Sequence, residues 1–245
     1  MFHPKPFLMT VLLAAVAGTG GPTQAQTGAS QPLEVDLSPL FERWSLSLKA
    51  QRMRDTCAVF TVTGALEFAL SKNLGEGVRF SEEYLNWAAN DANGDRADGA
   101  TFPQLQRGFS KWGIAAENDM PYRANFSASL APTEAALGGA REVWSLKPKW
   151  NWLVRDRSGG LSLEHLAAIK RVLKRGYPVA AGGEHCMLIV ACYENWEGGG
   201  TFLARDYARS SYETLTFAEV QRRFHSLLWV EFPTQAEDKN EKPER

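Results

Sequence analysis

The longest apolar stretch after the N-terminus lies at residues 57–71, where hydrophobic side chains occupy almost the whole helical circumference. Three polar side chains interrupt it: Thr61, Thr63 and Glu67. Because a surface helix keeps one polar face, this pattern predicts a helix buried in the core. Two further helices are expected, one in "FSEEYLNWAAN" with Ser81 as its cap, and one in "FPQLQRGFSKWG" that ends at Gly113.

The second half of the chain has a different periodicity. Strands are predicted in "PVAAG", "HCMLIVACY", "GTFLARDY" and "SLLWVEF", whereas "REVWSLKPKWNWLVRD" alternates only in part. An amphipathic helix is expected in "SLEHLAAIKRVLKRG" and a short one in "FAEVQRRFH", and the glycines at 198–200 predict a turn between strands. We therefore expect an α+β domain over residues 37–233, with a helical half at about 37–140 and a β-rich half at about 141–233.

Both ends of the chain are expected to lie outside this domain. Lys5, the apolar run "FLMTVLLAAVAG" and "TQA" ending at Ala25 predict a signal peptide at residues 1–25. That run is too short to span a bilayer, which takes roughly 20 apolar residues, so we expect an exported protein, periplasmic or secreted, with no membrane attachment after cleavage. Residues 26–36 are predicted to be a flexible segment, and the charged residues 234–245 a disordered tail.

Composition narrows the choice of function. A chain of 245 residues with 44% hydrophobic content can bury a substantial core. The formal net charge is −1 and the basic residues are scattered, which argues against a nucleic-acid partner. Neither a Cys-x-x-Cys pair, nor paired histidines, nor a phosphate-binding glycine loop is present in the sequence, so neither a metal nor an organic cofactor is implied.

The three cysteines are an odd number, so at least one thiol lacks a partner within the chain. Cys186 and Cys192 are six residues apart on one predicted strand, a separation of roughly 20 Å, whereas a disulfide needs Cα atoms about 5.5 Å apart. Both are interpreted as small core residues. Cys57 begins the buried helix, where the helix dipole favours the thiolate, and Arg54 would add to this effect if it points the same way.

A reactive thiol needs a basic partner, and the sequence contains four histidines. His3 leaves with the signal peptide, while His165 and His225 lie within predicted amphipathic helices and are interpreted as surface or packing residues. His185 opens a strand after the loop "AGGE", where a strand end meets solvent. It is therefore the candidate base.

The hairpin that follows His185 turns near residues 195–200 and brings a carboxylate back toward it. Antiparallel pairing places Asp206 close to His185, where it would orient the imidazole, with the register open by a residue or two. Asn195 and Glu184 are the other polar candidates for that role. Gln51 would offer its side-chain N–H beside the backbone N–H of Cys57 as an oxyanion hole.

Taken singly, these residues are typical of structural roles, but their combination and order are more specific. The sequence resembles the papain-like cysteine peptidases in Gln51 and Cys57 with "CAVFTVTGALE", in "FSEEYLNW", in "DGATFPQLQRGFSKWGIAAENDMPY", in "PVAAGGEHCMLIVACYE" and in "TFLARDYA". The resemblance covers most of the mature chain. It implies a helical half packed on an antiparallel β half, with the active site in the cleft between them.

The sequence also departs from that family. Gly-Ser before the cysteine and Trp after it are replaced by Asp55, Thr56 and Ala58, and the cysteine that usually pairs upstream of the nucleophile is missing. Asp206 stands where the family has asparagine, and Tyr207 follows it in place of the tryptophan motif. The aspartate and the run "LTFAEVQRRFHSLLWVEF" are similar to the bacteriocin-processing branch, and the residues do not separate the two branches.

The resemblance implies an exported peptidase in which Cys57 attacks peptide bonds through a thioester, with His185, Asp206 and Gln51 in the roles given above. Two alternatives stay open: an acyl transferase or amidase acting on cell-wall peptides with the same residues, and a catalytically inactive papain-like binding module. Substrates are expected to be peptides or proteins. Only about 30 residues precede Cys57 after the signal peptide, so no propeptide is expected, and control is expected from a regulatory protein partner or a narrow cleft.

The tryptophan pair in "PKWNWL" has two interpretations. Trp150 and Trp152 would line a substrate groove if they face the cleft. In a chain with 8 tryptophans, the more frequent role of such residues is packing in the core.

Overall fold

The computed structural model describes residues 34–195 and 199–233, which contain seven α-helices and seven β-strands. The helices are α1 (Ser38–Arg43), α2 (Cys57–Leu74), α3 (Glu82–Asn93), α4 (Phe102–Trp112), α5 (Glu134–Ser145), α6 (Leu163–Lys174) and α7 (Phe217–Arg223). The strands are β1 (Glu34–Asp36), β2 (Lys149–Val154), β3 (Val179–Gly183), β4 (Met187–Glu194), β5 (Gly200–Asp206), β6 (Ser211–Thr216) and β7 (Phe224–Glu231).

The strands form one antiparallel sheet in the order β2-β7-β3-β4-β5-β6, with β1 added beside β4. Helices α2 to α5 precede this sheet in the chain, apart from the short strand β1, and α6 and α7 are inserted between its strands. The predicted α+β architecture with an antiparallel β half is confirmed. Among the described residues, no helix combines the length and apolar content that crossing a membrane requires.

Helix α2 forms the centre of the core, as its all-round apolar pattern predicts. Its residues from Ala58 to Ser71 are buried, and it contacts β3, β4 and β7 as well as α3 and α4. Gly64 lets α2 approach the sheet, because a Cβ there would lie 2.1 Å from the Tyr207 hydroxyl. The residue that follows Asp206 is thereby packed directly against the helix that carries Cys57.

Most predicted elements are present with the expected capping. Ser81 accepts a hydrogen bond from the backbone N–H of Tyr84 at the start of α3, and Gly113 ends α4. Ser162 begins α6 through a reciprocal capping box with His165, so His165 caps a helix and has a structural role.

Several elements differ from the sequence-based expectation. The end of the segment predicted to be flexible, residues 34–36, instead forms β1. Helix α5 was not expected, because Gly138 and Gly139 weaken its helical pattern, and it extends past the assumed boundary between the halves at residue 140. Strand β6 is an exposed edge strand with little apolar signal. The predicted signal peptide, residues 26–33, the tail at 234–245 and the hairpin tip at 196–198 lie outside the described residues.

Candidate active site

Cys57 is the first residue of α2 and is half-buried. The preceding residue, Thr56, does not cap the helix with its side chain, because its hydroxyl bonds to the Tyr122 hydroxyl at 2.7 Å. The positive end of the α2 dipole therefore remains available to Cys57. This position favours the thiolate over the thiol.

Two residues just ahead of β4 contact the Cys57 sulfur. The Cys186 thiol hydrogen-bonds to it, the backbone N–H of Cys186 bonds to it as well, and the His185 imidazole is a third partner. The Cys186 thiol has the largest effect on the pKa of Cys57, which these hydrogen bonds and the charge of His185 lower to about 4 against the opposing effect of burial. Cys57 is accordingly an anion at neutral pH.

His185 lies between the sulfur and a buried carboxylate. Its Nε2 is 2.9 Å from Oδ1 of Asp206, which leaves Nδ1 to face Cys57. The hydrogen bond to Cys57 raises the pKa of His185 despite partial burial, and the bond and charge of Asp206 act in the same direction. The thiolate and the imidazolium thus stabilise each other.

Asp206 ends β5 and is 1% exposed. Burial alone would favour its neutral form, but hydrogen bonds from His185 and from the backbone N–H groups of Ala208 and Arg209 keep the pKa of Asp206 below its ordinary value. The β4–β5 register pairs Leu188 with Arg205, which brings Asp206 back to the start of β4. Hairpin pairing therefore produces the contact that the sequence predicts.

Gln51 lies buried in the loop that leads to Cys57. Its backbone N–H donates to the Tyr207 carbonyl at 3.0 Å, and its own carbonyl accepts from the Tyr122 hydroxyl at 2.9 Å. The side-chain Nε2 donates to the carbonyl of Arg54 at 2.9 Å. Because an amide nitrogen carries two N–H groups, one remains for an oxyanion while the other holds the side chain in place.

Arg54 does not support the thiolate in the way that the sequence suggests. Its guanidinium points to the carboxylates of Glu83, at 2.5 Å, and Asp98, at 2.8 Å, and it lies 4.4 Å from the centroid of the Tyr122 ring. Its positive charge is thus paired with two carboxylates. Its role is to tie the Gln51–Cys57 loop to α3 and to the loop before α4.

The loop before α4 closely approaches the residues that precede Cys57. Gly99 has a φ of +93°, and a Cβ at this residue would lie 2.0 Å from the Asp55 carbonyl oxygen. Only glycine fits this conformation and this approach. The loop bearing Asp98 can therefore pass directly under the residues that precede Cys57.

Two depressions flank the site. A cavity of about 250 Å³ adjoins Cys57 and is lined mostly by small and apolar residues, among them Ala58, Ala100, Phe102, Pro103, Gly182 and Cys186. A wider, open cleft of about 1250 Å³ lies beside His185, and its lining mixes apolar groups with the charged side chains of Arg157, Glu184, Arg222 and Arg223. A linear molecule can therefore extend across the site from one depression to the other.

Two residues near the site were assigned differently by sequence analysis. His225 is the second residue of β7, not part of a helix, and it lines both depressions with its Nδ1 3.2 Å from Oδ1 of Asp156. Cys186 is buried as expected, but it also interacts with Cys57. The sequence signal for this interaction was the position of Cys186 next to His185, the candidate base.

The tryptophan pair packs against α4. The Trp150 ring is 5.6 Å from that of Phe109, and Trp152 donates its indole N–H to Gln106 at 2.9 Å. Both tryptophans are partly buried against the core. This placement agrees with the packing interpretation.

Comparisons with known proteins bear on the fold. No protein-family model and no curated protein matches the sequence. Among solved structures, xylellain, a cysteine protease from Xylella fastidiosa, superposes with a TM-score of 0.64 and 15% identity over 84% of this chain and 88% of that one. Digestive procathepsin L 3 of the Tenebrio molitor larval midgut gives 0.61 and 14% over 86% and 72%. This chain has the papain-like fold.

A third structure agrees. The proform of Amb a 11, a cysteine protease and ragweed pollen allergen, superposes with a TM-score of 0.58 and 18% identity over 86% of this chain and 69% of that one. The sequence lacks the upstream cysteine that its resemblance to the family would lead one to expect, and the ion pairs of Arg54 tie down the loop before Cys57.

Proposed function

We propose that this protein is an exported cysteine peptidase that hydrolyses peptide bonds through a covalent thioester. One observation carries the proposal: the Cys57 sulfur contacts His185, whose opposite ring nitrogen lies 2.9 Å from the buried carboxylate of Asp206. A nucleophile, a base and an orienting acceptor in this sequence of contacts constitute the machinery for acyl transfer.

The first half of the reaction forms the acyl-enzyme. The Cys57 thiolate attacks the carbonyl carbon of the scissile peptide bond, and the resulting oxyanion accepts hydrogen bonds from the Cys57 backbone N–H and from Gln51 Nε2. His185, protonated because its pKa is raised, gives its proton to the leaving amine. The C–N bond breaks, the amine departs, and a thioester remains on Cys57.

The second half regenerates the enzyme. Neutral His185 takes a proton from water, and the hydroxide attacks the thioester carbonyl. The C–S bond breaks, the acid product leaves, and the thiolate and imidazolium are restored. Asp206 accepts the hydrogen bond from Nε2 throughout, so Nδ1 stays directed at the sulfur.

The two depressions support a peptide as the substrate. The cavity beside Cys57 offers apolar walls to a side chain, and the wider cleft beside His185 offers room to the leaving segment. Export is supported by the sequence of residues 1–25, in which a basic residue, an apolar run and small residues occur in order. N-terminal sequencing of the secreted product should then begin at Gln26.

The decisive experiment compares the purified protein with Cys57→Ala on two substrate sets, a peptide library and peptidoglycan peptides, with products identified by mass spectrometry. We expect cleavage by the wild type and none by the variant. Cleavage confined to peptidoglycan peptides would point to the amidase alternative. If the wild type leaves both substrate sets intact and an alkylating probe finds no fast-reacting thiol, the protein is an inactive binding module and the proposal is wrong.

A further inference from the structure

A second thiol touches the proposed nucleophile, and the peptidase reaction has no need of it. All three cysteines lie within the described residues and are free. Cys57 and Cys186 line the same cavity of about 250 Å³, and their side chains are in hydrogen-bond contact. Cys192 lies on β4 opposite Phe202 and is fully buried.

The two neighbouring thiols differ in reactivity. Cys57 is held as a thiolate at the start of α2, and thiolates are the form that peroxides oxidise. Cys186 is buried beside that negative charge, and its hydrogen bond to Cys57 and its burial raise its pKa, so it keeps its proton. A peroxide that enters the cavity would therefore oxidise Cys57 first and find Cys186 reduced.

We propose that Cys57 and Cys186 form a reversible redox pair, in which a peroxide joins them in a disulfide that blocks the nucleophile and a thiol reductant releases it. The proposal rests on the reactive Cys57 of the proposed function. Unlike that function, it can be tested by mapping thiols, with no substrate turnover.

The chemistry balances in two steps. Hydrogen peroxide transfers one oxygen to the Cys57 thiolate, which gives a sulfenic acid and hydroxide. The Cys186 sulfur then attacks the sulfenic sulfur; the S–S bond forms, the S–O bond breaks, and the Cys186 proton leaves with that oxygen as water. His185, beside Cys57, is positioned to relay this proton. Two equivalents of a thiol reductant reverse the oxidation and restore both thiols.

The structure also supplies a reason for such a pair. A sulfenic acid without a neighbouring thiol is oxidised further to sulfinic and sulfonic acids, which simple thiols do not reduce. Both side chains line one cavity, which gives them space to turn until the sulfurs reach a bond length of about 2.05 Å. The disulfide would thus protect Cys57 while it stops catalysis.

The test uses the purified full chain, its Cys186→Ala and Cys186→Ser variants, and Cys192→Ala as the matched control. Each is treated with hydrogen peroxide, alkylated, digested and mapped by mass spectrometry, with a parallel sample reduced by dithiothreitol before alkylation. In the wild type and in Cys192→Ala, we expect a peptide cross-link between residues 57 and 186 and recovery of Cys57 on reduction. In both Cys186 variants we expect sulfinic and sulfonic Cys57, with recovery about tenfold lower.

Two results would overturn the redox pair. One is a peroxide-treated wild type in which Cys57 carries sulfinic acid and no cross-linked peptide is found. The other is recovery of Cys57 in folded Cys186→Ser equal to that of the wild type. A protein that forms the cross-link but cleaves no peptide would retain the redox pair and lose the peptidase proposal, so the two failures are distinguishable.

Discussion

The two sides of the site are held in different ways. On the sheet side, His185 and Asp206 are brought together by the backbone register of β4 and β5. On the helical side, the loop from Gln51 to Thr56 has no ladder to hold it and depends on side chains, chiefly the ion pairs of Arg54 and the hydroxyl of Tyr122. We therefore expect the loss of a single side chain to lower the free energy of unfolding little on the sheet side and strongly in the loop.

The largest effect is expected for Arg54→Met. This substitution leaves Glu83 buried without its cation, and breaking such a pair costs about 3–5 kcal/mol of the free energy of unfolding. The control is Lys111→Met, which removes an exposed pair with Asp91 and should cost less than about 1 kcal/mol. Urea unfolding measures both, and equal losses would refute the claim that buried ion pairs hold this loop.

Next in size is the effect of Asp206 on turnover. Without its carboxylate the imidazole loses its orientation, so Asp206→Ala should lower kcat/KM about a hundredfold with the protein still folded. Asp206→Asn should retain much of the activity, since an amide oxygen still accepts the imidazole N–H.

A purely structural Asp206 would give a different result. Both variants would then melt at lower temperature, and activity would fall only in proportion to the folded fraction. If both melt normally and cleave at the wild-type rate, the orienting role passes to Glu184 or Asn195.

A smaller effect is expected on the reactivity of the thiol. With a pKa of about 4, Cys57 stays a thiolate from about pH 5 to 8, so its alkylation by iodoacetamide should be nearly independent of pH there and fall at lower pH. In His185→Ala the pKa rises, and alkylation at pH 6 should be about tenfold slower. Cys192 serves as the internal control and should react only after unfolding; identical profiles for the two proteins would exclude the ion pair.

The smallest effect is expected for Tyr122→Phe, which removes the hydroxyl that bridges Thr56 and Gln51. Loss of these bonds should cost about 1 kcal/mol of the free energy of unfolding. Tyr193→Phe, which removes a solvent-facing bond to Asp36, is the matched control and should change stability by less than about 0.5 kcal/mol. A larger loss of stability in Tyr193→Phe would contradict the claim that the loop depends on side chains more than the sheet does.

The local pattern of apolar and polar residues was enough to predict much of the fold. The all-round apolar run predicts α2 because burial on every side leaves no polar face, and the strands β3, β4, β5 and β7 follow from apolar runs bounded by turn residues. Helix α5 and strand β6 were not predicted. Glycines weaken the helical pattern of α5, and its exposed edge position leaves β6 without an apolar pattern.

The sequence by itself determined that Cys57 begins a buried helix and that a hairpin returns Asp206 toward His185. Both follow from short-range rules, since helix starts and antiparallel register depend on neighbouring residues and on counting along the chain. Only the tertiary structure decided that Arg54 turns to Glu83 and Asp98, that His225 faces the cavities, and that the Cys186 thiol meets Cys57. These contacts join residues 29 to more than 100 positions apart, and their side-chain directions are set by packing, which no local pattern encodes.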